Sequence, residues 1–443
     1  MTKKKRRFQP FKLRRMFLPT ARLYRHAAGA SIGLLVFLIG LVLSFRVVAQ
    51  PLLRNIAEGW NALMGGLIHQ ENVAVTNHFL GGLLLIVGVI LQYKSARAFV
   101  RSIVEVLQPS AKNGVANSFV RKQQLALGPR IVAIGGGTGL STMLRGLKMH
   151  SSNITAIVTV TDDGGSSGRL VREMGMIPPG DMRNCLVALA DAEKLMIDLF
   201  QHRFSKKAGP LSGHSLGNLL IAGFLDQAGG DMDRALELAS EVLAIRGRVI
   251  PSTTDHVRLR ALLESGVEIC GETAIVNSGE RVRRLYIDPE DVSPHEAAIQ
   301  AIKEAELIVI GPGSVYTSII PNLLVPGIAE AIEQADCIKA YICNVMTQPG
   351  ETQSFTAAEH MVAVQANVGP RVCDYVLVNT GMPTEYILDR YRESEQEVVE
   401  PDIDRVQRMG YKTITGNFMS ETDFVRHDPA RLAARLMEVL DRS

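Results

Sequence analysis

Cysteine is scarce in this sequence and poorly spaced for chemistry. The five residues Cys185, Cys270, Cys337, Cys343 and Cys373 form no C-x-x-C pair and no zinc-like spacing. That excludes a disulfide framework or a zinc finger and reads as reduced core thiols in the cytoplasm. None has a neighbouring histidine suited to nucleophilic catalysis, so Cys185 and Cys343 count as core. The string G-x-x-x-x-G-K-[ST] is absent, which argues against a P-loop ATPase. No internal repeat is evident. Acidic residues are missing from the first 57 positions, while Lys3, Lys4, Lys5, Arg6, Arg7, Lys12, Arg14, Arg15, Arg22 and Arg25 all precede Ala27. The formal net charge of +3 hides this asymmetry, since the rest of the chain is mildly acidic. The basic cluster abuts an apolar segment instead of decorating a folded face, so nucleic acid is not an expected partner.

What is present begins with that apolar segment. Residues 27 to 45 carry no charge and number 19, close to the roughly 20 needed to cross a bilayer as a helix. A second run, His78 to Tyr93, reaches a full crossing if the uncharged 72–77 stretch joins it. Basic residues flank both ends of the pair, with Lys94, Arg97 and Arg101 after the second run, which places both termini on the cytoplasmic side. The expected organisation is a basic arm (1–26), a transmembrane hairpin (27–93), a helix and linker (94–127) and a soluble domain (128–443). Between the spans, Leu52, Leu53, Ile56, Trp60, Leu63, Met64, Leu67 and Ile68 recur at helical spacing, as for a helix lying in the outer interface. A cleaved signal peptide ending near Val47-x-Ala49 is the rival reading; the long apolar core and the second apolar run weigh against it. The pair Gly29 and Gly33 could bring two copies of the chain together, although such pairs are common in spans.

Beyond Gly128, strand-like runs at 131–134, 154–160, 306–310, 338–343 and 374–378 alternate with helical patterns. The expected fold is α/β: a Rossmann-like, doubly wound, mostly parallel sheet preceded by two transmembrane helices. Residues 248 to 287 lack a helical period and read mostly as a small antiparallel β insertion.

The polar motifs fall where such a sheet binds ligands, at the carboxyl ends of strands. "GGGTGLS" supplies Gly135, Gly136, Gly137, Thr138 and Gly139, a turn that lets backbone approach a phosphate at a helix start. It is not the dinucleotide fingerprint, because Leu140 stands where the third glycine belongs. "TVTDDGGSSGRL" supplies Asp162 and Asp163, then Gly164, Gly165, Ser166, Ser167 and Arg169. One acid could meet a ribose or substrate hydroxyl while the other holds Mg²⁺ or acts as a base; an Asp-Gly turn capping a helix is the plainer alternative. "PPGDMRNCL" adds Asp181, Arg183 and Asn184, and "GHSLGNLLI" adds His214 and Asn218. His214 is either a proton donor or a hydrogen-bonded structural residue. "GPGSVYTSIIPNLL" adds Gly311, Gly313 and Ser314, and "CNVMTQPGET" adds Asn344.

Taken together, these six strings resemble the bacterial YvcK family of gluconeogenesis factors, within the CofD-like (2-phospho-L-lactate transferase) superfamily. The resemblance covers about residues 128 to 430. It implies a Rossmann-like nucleotide fold and a nucleotide-sugar ligand, UDP-N-acetylglucosamine, with a role in cell-wall synthesis and cell shape during gluconeogenic growth. Cell-wall synthesis proteins are the partners it suggests. The transferase relatives imply an alternative, Mg-dependent transfer of a phospholactyl-type group from a guanosine diphosphate donor to a deazaflavin-like alcohol. There Asp162 and Asp163 would sit at the acceptor or metal site and the Gly135–Gly139 loop on the donor phosphates. The first 127 residues depart from the soluble members, and the expected location is the cytoplasmic membrane, multi-pass, with the C-terminal domain in the cytoplasm.

Overall fold

A computed structural model describes residues 31–40, 62, 73–107, 123–192, 194–421 and 425–442. The basic arm, the proposed interfacial helix apart from Ala62, and residues 108–122 of the expected helix and linker lie outside the described residues. The chain divides into two compact units, Met1–Lys122 and Gln123–Ser443.

In the first unit the second apolar run does join its upstream segment, in one helix from Val73 to Leu107. Among the described residues this is the helix long and apolar enough to cross a membrane, over Phe79–Ala98. The first run is described only as the shorter apolar helix Ser31–Gly40. The two helices run antiparallel and touch backbone to backbone. A Cβ added at Gly33 would lie 3.0 Å from the Gln92 nitrogen, and one at Gly88 would lie 2.7 Å from the Phe37 nitrogen. Gly33 therefore serves packing within the chain. Ile32, Leu35, Phe79, Ile86 and Val89 remain exposed on the outer faces.

The second unit is built on seven parallel strands in the order β10-β9-β8-β7-β1-β2-β3. These are β1 (Ile131–Gly135), β2 (Ile154–Val158), β3 (Arg248–Pro251), β7 (Leu307–Ile310), β8 (Ile338–Ile342), β9 (Tyr375–Asn379) and β10 (Lys412–Gly416). Strands β1, β2 and β7 are buried along their whole length, which is why they read as unbroken apolar runs instead of alternating ones. The helix Gly137–Leu147 buries Leu140, Met143, Leu144 and Leu147 and packs on helices Gly180–Leu189 and Pro429–Leu440.

Three expectations need correction. Residues 248–251 are not part of the insertion; they form β3 at one edge of the main sheet, where Pro251 costs no ladder hydrogen bond on its open side. The antiparallel insertion consists of β4 (Arg258–Leu263), β5 (Glu268–Cys270) and β6 (Val282–Asp288), interrupted by a helix at Glu272–Ser278. Finally, Cys270 is exposed on the edge strand β5, whereas Cys185, Cys343 and Cys373 are buried; all five are free thiols. A remaining short hairpin joins β11 (Met419–Glu421) to β12 (Val425–His427).

Candidate functional site

The chain lays down β1, β2 and β3 in one direction across the sheet, then returns to the far side of β1 to lay down β7 through β10. The turns after β1 and β7 therefore leave the sheet side by side, at the switch point where open α/β sheets form a crevice. Gly139 faces the Pro312 carbonyl so closely that a Cβ there would overlap it, and Gly137 takes a left-handed φ of 61°. Both features demand glycine.

These turns form one wall of a cleft of about 260 Å³. Gly136, Gly137, Thr138, Gly139, Gly313, Ser314 and Asn344 all line it. Asn344 grips Gly313 from both sides, its Nδ2 donating to the Gly313 carbonyl at 2.9 Å and its Oδ1 accepting from the Gly313 N–H at 3.3 Å. Gln348 Nε2 donates to Ser314 Oγ at 2.9 Å. Gly135 and Gly311 stand just behind: Asn322, fully buried, donates to the Gly135 carbonyl at 3.0 Å, and the Gly311 N–H bonds the Ile134 carbonyl. The opposite wall comes from Tyr391, Gln396, Val425, Arg426 and His427. The Val425 N–H donates to the Tyr391 hydroxyl at 2.9 Å, which ties the β11–β12 hairpin to the Glu385–Arg392 helix. Burial holds the His427 imidazole down at about 4, against the opposing effect of the Cys343 backbone, so it is neutral.

The remaining predicted residues gather in a second group beside the first. Ser166 and Ser167 are buried at the start of helix Gly165–Met174. The Ser166 hydroxyl accepts from the Ser215 N–H and from Asn218 Nδ2, each at 3.2 Å, and lies 3.1 Å from His214 Nδ1. Arg183 donates to Asn218 Oδ1 at 2.9 Å and to Asn184 Oδ1 at 2.8 Å, while Arg169 donates to the Ser212 carbonyl at 2.7 Å. None of Gly164, Ser166, Ser167, Arg169, Arg183, Asn184, His214 or Asn218 lines the cleft. The helices beginning at Gly137, Gly165, Gly180 and Leu216 have no side-chain cap, whereas Asp231, Thr356 and Asp428 cap helices elsewhere in the unit. The side chains at these loops do not cap their own helices, but the Asp181 carboxylate takes the Gly137 N–H, so at that helix start a ligand would meet the other first-turn amides.

Carboxylates lie between the two groups. Asp162 and Asp163 point apart. Asp162 Oδ1 closes a local turn by accepting the Gly164 N–H at 2.9 Å. Asp163 Oδ1 accepts from the Thr273 N–H at 3.1 Å and its hydroxyl at 2.5 Å, latching the insertion onto the β2 loop. Asp181 sits against Gly136 and accepts the Gly137 N–H. Burial raises its pKa to about 6; the Gly137 bond opposes that rise and the Asp162 charge adds to it. Glu272, delivered by the insertion, is pushed up to about 9 by burial and then by Asp162 and Asp181. Glu351 is also raised by burial, opposed by hydrogen bonds from Thr317 and Tyr316. Among the described residues no three acidic, histidine or cysteine side chains are arranged to hold a metal ion. Asp163 is committed to Thr273, so Asp162 is the better-placed carboxylate for an Mg²⁺ that took its other ligands from phosphate and water.

Sequence reasoning missed the second wall of the cleft. Tyr391, Gln396, Arg426 and His427 carry no glycine-rich or motif-like signal, and only their place across from the turns marks them. It also missed Glu272, hidden in what reads as a strand, and Arg203, whose Nη1 donates to the Gly213 carbonyl at 2.7 Å.

Comparison with known proteins fits this geometry. A family profile described as 2-phospho-L-lactate transferase CofD matches residues 131–419. The gluconeogenesis factor of Bacillus subtilis is 47% identical over 313 residues, spanning 70% of this chain and 98% of that protein. A relative from Nostoc sp. bearing the gluconeogenesis-factor name is 44% identical over 409 residues, 92% of this chain and 88% of its own, so its likeness extends into the N-terminal unit. The crystal structure of a Bacillus halodurans protein superposes with a TM-score of 0.67 at 44% identity, covering 70% of this chain and 99% of that one. An equivalent of the second unit therefore folds without the first. The chain belongs to the CofD family and, within it, to the YvcK group of gluconeogenesis factors.

Proposed function

We propose that this protein is a membrane-anchored nucleotide-sugar-binding regulator, with UDP-N-acetylglucosamine as the ligand, acting on cell-wall synthesis and cell shape during gluconeogenic growth. The observation that carries the reading is the cleft at the β1/β7 switch point. Its lining holds two glycine turns, the amide side chains of Asn344 and Gln348, and Arg426, and among the described residues it contains no carboxylate. Backbone N–H groups at a helix start together with one guanidinium suit a diphosphate. Neutral His427, Tyr391 and Gln396 offer hydrogen bonds to the uncharged remainder of the ligand. Membrane anchoring is supported by the apolar Val73–Leu107 helix, its backbone-close partner at Ser31–Gly40 and the basic flanks; in this reading the two runs form a hairpin with both ends in the cytoplasm.

Calorimetric titration of the full-length protein with UDP-N-acetylglucosamine tests the proposal. Saturable binding is expected, weakened by Arg426→Ala by about 1.5–3 kcal/mol for a lost charge-assisted contact. Absence of binding by any uridine diphosphate sugar would end it. A second reading, an Mg-dependent phospholactyl-type transferase, is favoured by one feature: carboxyl groups of very different pKa, Asp181 near 6 and Glu272 near 9, stand together beside the cleft, an arrangement suited to separate base and acid roles. Turnover of a guanosine diphosphate donor, abolished by Glu272→Gln, would select it.

A further inference from the structure

The second group of predicted residues has its own physical demand. Arg169, Arg183 and Arg203 surround the 212–218 loop, and among the described residues none of them forms an ion pair with a carboxylate. Their recorded partners are neutral: the carbonyls of Ser212 and Gly213 and the amide oxygens of Asn184 and Asn218. Such anchors orient a guanidinium without offsetting its charge. Arg183 is half-buried, and its Nε is enclosed without a hydrogen-bond partner among the described residues. The guanidiniums also feel one another, since Arg203 adds to burial in lowering the Arg183 pKa. Arg169 and Arg183 are partly removed from water while Arg203 stays exposed beside them, and the unpaired charge on the first two costs free energy that an anion would recover.

The neutral residues at this place are set as donors. Ser166 Oγ accepts two hydrogen bonds, from the Ser215 N–H and Asn218 Nδ2. Its single proton is therefore directed to His214 Nδ1, which leaves the hydrogen of the neutral imidazole on Nε2. His214 is buried, and burial followed by the Arg169 charge keeps its pKa below the usual value. Three uncapped helices, beginning at Gly165, Gly180 and Leu216, start around the same loop. The nearby acids do not cancel this. Glu173 acts on His214 and Asp162 and Asp181 act on Arg183 at a distance, without forming an ion pair.

We propose that Arg169, Arg183 and Arg203 form a second anion site, separate from the cleft, that takes the phosphate group of a small phosphorylated molecule. Guanidinium forks match the oxygens of a phosphate, and the site needs no residue of the cleft. The inference is independent of which nucleotide the cleft binds.

The test titrates the full-length protein in detergent with inorganic phosphate and, separately, with glycerol 3-phosphate. Saturable binding is expected. Arg203→Gln should weaken it about tenfold or more, and Arg203→Lys, which keeps the charge, should weaken it less. Arg426→Gln should weaken nucleotide binding while leaving phosphate binding unchanged, and saturating UDP-N-acetylglucosamine should not displace phosphate. Unchanged melting temperatures verify that the variants are folded; if Arg203→Gln is not, Arg169→Gln replaces it. Tighter binding of the monoester identifies a phosphorylated metabolite as the occupant, and tighter binding of inorganic phosphate identifies the ion itself. No saturable binding of either probe, equal loss in Arg426→Gln, or competition by the nucleotide sugar overturns the second site.

Discussion

Asp181 is the place where stability and binding are most directly opposed. Its carboxylate occupies the Gly137 N–H and lies against Gly136, the very backbone that an anionic ligand would use. Its pKa is about 6 in the folded protein against an ordinary 3.8. Between those values the unfolded chain has released a proton that the folded chain retains, so stability falls as pH rises through the window. The full shift corresponds to about 3 kcal/mol, an order-of-magnitude figure at about 1.4 kcal/mol per pKa unit. About 1 kcal/mol of it is already lost at pH 4.5, leaving about 2 kcal/mol to be lost by pH 7.5. Asp181→Asn keeps an oxygen for the Gly137 N–H and removes the charge. The variant should therefore gain about 2 kcal/mol relative to the parent between pH 4.5 and 7.5, and it should bind nucleotide more tightly at pH 7.5. Urea denaturation of the 123–443 unit followed by circular dichroism measures the first effect; Trp60, the only tryptophan, lies outside that unit. A stability difference that is the same at both pH values would refute the argument.

Gly139→Ala sets a methyl group against the Pro312 carbonyl, and because backbone cannot rotate away the change should cost about 1–3 kcal/mol and lower nucleotide affinity; unaltered unfolding would show that the two turns are not in rigid contact. Asp163→Ala removes both hydrogen bonds to Thr273 and should destabilise the latch by about 1–3 kcal/mol, seen as faster amide exchange over Glu272–Ser278 with little change at β1. Removal of residues 1–122 should release the protein from membranes in cell fractionation and leave nucleotide titrations unchanged; a truncated protein still in the membrane fraction would contradict the anchoring role of that unit.

Much of the fold can be read along the chain because the responsible physics is local. Ile131–Ile134 and Ile154–Val158 are apolar at every position because both faces of a parallel strand are covered. Glycines directly after such runs announce tight exits into helices. The strand β3 escaped this reading because Arg248 and Pro251 bound an edge strand of only four residues, and the Glu272–Ser278 helix because its β-branched residues suit either state.

Local chemistry along the chain placed each polar loop on its own strand, since turn chemistry and helix starts depend on residues a few positions apart. It did not determine which loops meet. That followed from the strand order, which turns back at β1 and so sets Gly139 against Pro312, and Asn322 against the Gly135 carbonyl across 187 positions. It also divided the predicted residues into a cleft and an arginine group, and brought Tyr391, Arg426 and His427 to the cleft's far wall. Contacts between residues so distant in the chain leave no periodic trace in the sequence; they exist only once the sheet has closed its order and its helices have packed.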